Sequence, residues 1–229
     1  MWLAETVGGP LDDDRLVELV RGAVAVGVDA PLGWPDAFVA AVGAHGALGR
    51  WPGGVDRSPL THRETDRFTK PFVGRLPLSA SADLLGVVAM RAALLQQRWA
   101  DEVWGEPAPR DGSGVLSETY PAAALAVWGI ERTGYKARRE PDRAARVRAG
   151  IVDTVVDATS NWLDLAGVAS LAVESDHVLD AIVCALVAIS VTGGATHQAP
   201  VELRDVARRE GWIHVPREPL AELRPPVSG

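Results

Sequence analysis

The stretch VAVGVDAPLGWP, residues 24–35, decides how the rest of the chain reads. Its apolar run, Val24-Ala25-Val26-Gly27-Val28, predicts a buried strand. The run ends in a carboxylate, Asp29, and the chain then turns through Ala30-Pro31, a glycine and a Trp-Pro pair. In open α/β sheets, sites gather at the carboxyl ends of strands. A strand that carries an acid to that end and turns away at once is a candidate edge of such a site.

Before the strand, residues 11–23 have helical spacing at Leu16, Leu19, Val20 and Ala23. Their three opening aspartates, Asp12 to Asp14, suit a helix dipole and need no chemical role. Residues 2–7 read as a short strand, broken by Gly8-Gly9-Pro10. After it, Pro35-Asp36 opens a helix, residues 46–60 form a Gly- and Pro-rich loop, and THRETDRFTK, residues 61–70, is helical in part. Residues 79–100 predict a long amphipathic helix with Ser79 and Ser81 available as caps. Residues 115–119 predict a second strand ending at Glu118, with Pro121 starting the next helix. Further on come a helix at 144–156, an apolar helix capped by Ser175, a charged helix at 201–210 and a short strand at 212–215. Interleaved strands and helices predict an α/β sheet in one domain, residues 1–216, followed by a proline-bearing tail, 217–229, read as frayed.

Composition narrows the class. The chain has 229 residues, 47% hydrophobic and 23% charged, so a sizeable core can form. A net charge of −7 argues against a broad, non-specific grip on nucleic acid but leaves room for a local basic groove. With one cysteine, Cys184, an internal disulfide is impossible, and a cytoplasmic protein is expected. The longest apolar stretch, 178–191, carries Asp180 and is short for a bilayer, so no membrane association is expected.

Three acids share a setting. Asp29 and Glu118 end strands, and Asp180 sits in a helix among Val178, Leu179, Ile182 and Val183. A carboxylate in apolar surroundings is costly unless paired, protonated or bound to a cation. Acids that meet repel, and a divalent ion held by oxygens, Mg²⁺ or Mn²⁺, removes that repulsion. Asp176 lies four residues before Asp180, on the same helical face, although capping alone would explain it. Plainer readings exist for the others: Asp29 as a turn acid bonding local amides, Glu118 as the partner of an arginine.

VGVDAPLGWP, HRETDRF, SETYPAAAL with GYK, SDHVLDAIVCALVA and EGWIHVP, in that order, resemble a bacterial and archaeal family of predicted RNase H-like nucleases, a domain-of-unknown-function family. The resemblance covers residues 11–216. It implies an RNase H-like mixed sheet flanked by helices, with acids on strands and the last helix bridged by two metal ions. It implies metal ligation by Asp29, Glu118 and Asp176 or Asp180. It implies catalytic roles for Asp29, Glu118, Asp180 and Lys136, with substrate contacts from Arg63, Asp66, Tyr120 and Lys136. Members usually open with a strand of the form G-V/I-D-x-A/G whose aspartate is the first ligand. No such segment precedes Val24, so the N-terminal strand is expected to be missing or altered, with a gap beside the 24–29 strand and association through that edge.

The leading expectation is a metal-dependent nuclease or phosphodiesterase using Mg²⁺ or Mn²⁺. Residues 132–148, with seven Lys or Arg, would grip a nucleic-acid backbone or else form a solvated helix face. Trp34, Trp51 and Tyr120 could stack on bases or simply pack. The alternative expectation is a catalytically inactive binding or scaffold protein on the same fold. No phosphate-loop, zinc or serine-nucleophile motif competes. Oligomeric state is not legible.

Overall fold

The computed structural model of the chain describes residues 2–3, 12–53, 56–82 and 84–224. They form β1 (Trp2–Leu3), α1 (Asp13–Val20), β2 (Val26–Val28), α2 (Asp36–Gly46), α3 (Ser58–Thr61), α4 (Glu64–Val73), α5 (Leu85–Trp99) and β3 (Leu116–Thr119). There follow α6 (Pro121–Val127), α7 (Pro141–Thr159), β4 (Leu163–Asp164), α8 (Ala169–Glu174), α9 (Asp176–Thr192), α10 (Arg204–Glu210) and β5 (Ile213–His214). The protein is α/β, as the alternation of patterns predicts.

The central sheet has the order β2-β3-β5 and is parallel throughout, where a mixed sheet was expected. Val26 stands opposite Leu116, Val28 opposite Glu118, and Glu118 opposite Ile213. Among the described residues, antiparallel pairing is limited to an isolated bridge between Thr196 and Pro216. β1 does not join this sheet. It pairs in parallel with β4, which the sequence pattern did not reveal. The rest of the expected 2–7 strand lies outside the described residues.

Helix α9 is apolar on nearly every face because it is covered on two sides. It lies on β2 and β3, and it packs on α6, α7 and α8. Leu179, Val183, Leu186 and Val187 are buried there with Ile151 and Val155 of α7. Each such side chain contributes about 1.5–3 kcal/mol relative to exposure. Gly27 explains the glycine in the opening apolar run: a Cβ there would sit 2.4 Å from the Cys184 carbonyl oxygen, so the backbone of α9 rests directly on β2. On the opposite side of the sheet, Val17 and Val20 of α1 meet Leu95 and Trp99 of α5 over Leu32 and Leu116.

Local signals hold with adjustments. Asp12 caps α1 through the Arg15 amide at 2.8 Å, and Ser175 caps α9. Ser79 and Ser81 do not cap α5. They donate instead to the carbonyls of Thr61 and Leu60, because the chain turns once more before the helix starts. The tail is docked rather than frayed as far as Arg224, since Leu220 and Leu223 are buried in the α7 core. Residues 225–229 lie outside the described residues.

β2 is the edge of the central sheet among the described residues. The Val26 amide donates to the Val115 carbonyl at 2.7 Å, so the backbone amide and carbonyl of Gly27 face the open edge of the sheet. A groove of about 550 Å³ is lined among others by Leu19, Ala25, Gly27, Asp29, His177 and Asp180.

Candidate functional site

β2 delivers Asp29 to the wall of that groove, and the first two turns of α9 bring Asp180 to it. Asp180 is 8% exposed. Tyr135 donates its hydroxyl to Asp180 Oδ1 at 2.9 Å, and Lys136 Nζ lies 2.6 Å from Asp180 Oδ2. The ammonium also stands 5.2 Å from the Tyr135 ring centroid, within cation–π range. The tip that carries Tyr135 and Lys136 is held from below by Arg148 of α7. Its guanidinium is buried and donates to the carbonyls of Tyr135, Val173 and Glu174.

Electrostatics mark the pair. The Asp29 pKa is raised from 3.8 to about 6, chiefly because surrounding protein displaces water, then because Asp180 and Glu118 add like charge, while Lys136 opposes. Asp29 remains exposed, which tempers the first cause, whereas both acids line the same groove. Burial pulls the Lys136 ammonium down, but the hydrogen bond and charge of Asp180, helped by Asp29 and Asp176, raise it above its ordinary value. The Tyr135 hydroxyl is raised as well, by burial and by Asp180, so it remains a donor. Cys184, on the same helix, has its thiol pushed up to about 12 by burial and by Asp29. It accepts from Thr119 at 3.1 Å and behaves as a packed, protonated side chain.

Glu118 goes elsewhere. Expected to converge on Asp29 and Asp180 as a ligand, it spends both oxygens in a sealed network. Arg63 Nη2 and Nη1 donate to its two oxygens at 2.7 and 2.8 Å, and the Leu32 amide donates to one of them at 2.9 Å. Arg63 in turn holds both oxygens of Asp66, at 2.9 Å through Nη2 and at 2.8 Å through its own amide. Arg63, Asp66 and Glu118 are 2%, 0% and 2% exposed. Burial lowers the Arg63 pKa, but the two carboxylates outweigh it and raise the guanidinium above its ordinary value. For Glu118 burial is the largest influence and acts upward, with Arg63 and the Leu32 amide acting against it.

This network answers why the chain turns so sharply after Asp29. Glu118 holds the Leu32 amide, so the turn is tied to the end of the neighbouring strand. Gly33 packs where a Cβ would lie 2.4 Å from the Arg209 carbonyl oxygen. Gly211, at φ +90°, leaves room for Glu118, whose Oε2 would lie 2.7 Å from a Cβ there. Glu210 completes the arrangement by accepting from the amides of Asp36 at 2.8 Å and Glu64 at 2.9 Å, thereby capping two helix starts. The HRETD, SETYP and EGW segments are therefore parts of one scaffold behind Asp29. Arg63 and Asp66, expected at a substrate, are enclosed in it.

Of the remaining candidates, Asp176 lies in the first turn of α9, close enough to Tyr135 and Lys136 to act on their titration. Tyr120 precedes α6 and packs on the Val73, Ala123 and Ile213 cluster. Among the described residues, no three His, Cys, Asp or Glu side chains form a group that could hold a metal ion. No helix there is long and apolar enough to cross a membrane. Tyr135 and Glu210 were not singled out from sequence for the parts they take. Each lies beside a motif, GYK and EGW, that could have drawn attention to it.

The family model described as a protein of unknown function, DUF429, matches residues 13–204. The chain belongs to the DUF429 family. No curated protein matches it. No solved structure matches it. The match takes in the whole Asp29, Lys136 and Asp180 cluster and the Arg63 to Glu118 network, and it stops just ahead of Glu210 and Gly211.

Proposed function

We propose that this DUF429 chain is a divalent-cation-dependent phosphodiesterase or nuclease of RNase H-like architecture, acting at Asp29 and Asp180. The observation that carries this reading is that two carboxylates, Asp29 and Asp180, line one groove, where their mutual repulsion is only partly relieved. Asp29 is pushed up to about 6, and Lys136 is the single cation beside both acids that these shifts register. Two oxygen donors fit Mg²⁺ or Mn²⁺, ions that keep several waters and share substrate phosphate oxygens. Such an ion would activate the attacking water and neutralise the phosphate. The chain's own residues do the rest. Asp29 and Asp180 would hold the ion, Tyr135 holds Asp180 in place, and Lys136 would neutralise a phosphate oxygen. Arg138, Arg139, Arg143 and Arg146 are exposed on the segment that continues from Lys136, which favours a polyanionic substrate such as nucleic acid.

A second reading has its own support. With Glu118 committed to Arg63, it is not free to join Asp29 and Asp180, and Lys136 already sits on Asp180. That is also what an inactive binding protein on this fold would look like. Cleavage of single-stranded RNA, single-stranded DNA and a chromogenic phosphodiester, with and without Mn²⁺, separates the two. The enzyme reading expects Mn²⁺-dependent turnover that falls by at least about 100-fold in Asp29→Asn and Asp180→Asn. Absence of turnover on all three substrates, together with retained binding of labelled RNA, would favour the binding protein.

A further inference from the structure

We propose that the Lys136 ammonium is the resident counter-cation of the Asp29 and Asp180 site, and that a divalent ion must displace it in order to bind. The inference rests on the reading of these two acids as an ion site and concerns how that site is regulated. Both oxygens of Asp180 are already engaged. Tyr135 donates to Oδ1 at 2.9 Å, and Lys136 Nζ lies 2.6 Å from Oδ2. Mg²⁺ approaches an oxygen ligand to about 2.1 Å. An ion at that distance from Oδ2 stands no more than about 5 Å from the ammonium, where a double and a single positive charge repel. The two cannot share that oxygen without loss. The ammonium also leaves the neutralisation incomplete, since one positive charge serves two carboxylates. Burial and Asp180 still hold the Asp29 carboxyl above its ordinary value, with Lys136 acting against them.

The lysine is free to leave, although its backbone is not. Arg148 donates to the Tyr135 carbonyl at 2.7 Å, and Tyr135 itself is buried, so the chain is fixed at the residue before Lys136. The Lys136 side chain, in contrast, is 49% exposed and carries its charge on a flexible four-carbon stem. The Tyr135 ring, 5.2 Å from the ammonium, attracts the cation independently of Asp180. Displacement therefore moves one side chain and leaves the tip in place. It also releases the ammonium beside the ion, where the phosphate would be held. Arg63 has no such freedom, because its guanidinium is enclosed between Glu118 and Asp66.

Isothermal titration of the full chain with MnCl₂, without substrate, tests this. Lys136→Met should bind Mn²⁺ at least about 10-fold more tightly than the wild type, since the ion no longer competes with a hydrogen-bonded charge. Lys136→Arg keeps the charge and should bind no more tightly than the wild type. Arg21→Met removes an exposed cation that pairs with Glu18 on α1 and should leave the affinity within about twofold, which separates displacement from a general change of net charge. Circular dichroism checks that each variant is folded. Should Lys136→Met fail to fold, Lys136→Gln replaces it, with the same expected gain. Equal or weaker Mn²⁺ binding in Lys136→Met would overturn the proposal, and the ion site would still stand if Asp180→Asn abolished the binding. Absence of Mn²⁺ binding in the wild type and Lys136→Met alike would overturn the ion site, and this inference with it.

Discussion

Glu118 on β3 and Asp29 just beyond β2 stand at the same end of neighbouring parallel strands, and each belongs to a cluster of two acids and one cation. Glu118 and Asp66 share Arg63; Lys136 pairs with Asp180, and its charge also acts on Asp29. The charge ratio is the same, and the treatment is opposite. In the first cluster every carboxylate oxygen accepts at least one hydrogen bond, and water is excluded. In the second, Asp180 is engaged by Tyr135 and Lys136. Asp29, among the described residues, accepts no protein hydrogen bond and remains open to solvent. The planar guanidinium can satisfy two carboxylates at once, whereas the ammonium is a point charge that reaches one of them. The difference teaches that an acid sealed with complete hydrogen bonds becomes scaffold, and one left open without them is a candidate for chemistry.

The comparison breaks most readily at Arg63. Arg63→Met leaves Glu118 and Asp66 buried without a partner and should cost about 3–5 kcal/mol of unfolding free energy in urea. A loss below about 1 kcal/mol would mean that the network is not what holds the turn.

The open cluster should show the opposite response to charge. Mn²⁺ at a hundredfold excess over its Kd should add about 2.7 kcal/mol to the folded state, read as a rise in melting temperature. Asp180→Asn should diminish that rise. Asp13→Asn should not, since Asp13 belongs to the helix start and an exposed ion pair with Arg91. If Asp13→Asn removed the response, the ion would be bound elsewhere.

The smallest effect is the most diagnostic. The folded pKa of Asp29, about 6, lies above its ordinary 3.8, so between those values the folded chain holds a proton that the unfolded chain has released. The stability from this group is complete below the ordinary value and is lost as pH rises through about 6. Asp29→Asn should flatten that slope. Carboxyl NMR should find the Asp29 midpoint above the usual carboxylate range, lower in Asp180→Asn and higher in Lys136→Met. A midpoint unchanged by Asp180→Asn would show that the two acids do not sense each other.

Much of this was written locally. The apolar run ending at Asp29, the strand ending at Glu118, the Ser175-capped helix carrying Asp180 and the Pro121 helix start are all properties of neighbouring residues, so periodicity and capping sufficed to locate them. The acids could be recognised as unusual because their apolar flanks made them costly. What pairing they received was another matter. Glu118 meets Arg63 across 55 positions of sequence, Tyr135 meets Asp180 across 45, and Leu32 meets Glu118 across 86. Spacing along the chain says nothing about such partners. Only the packed sheet decides that the guanidinium reaches Glu118 and the ammonium reaches Asp180. The α5 helix repeats the lesson, since its amphipathic period was plain in the sequence while the direction of its large side chains was not. A period sets which residues share a face; the surfaces that compete to cover each face decide which one is turned inward.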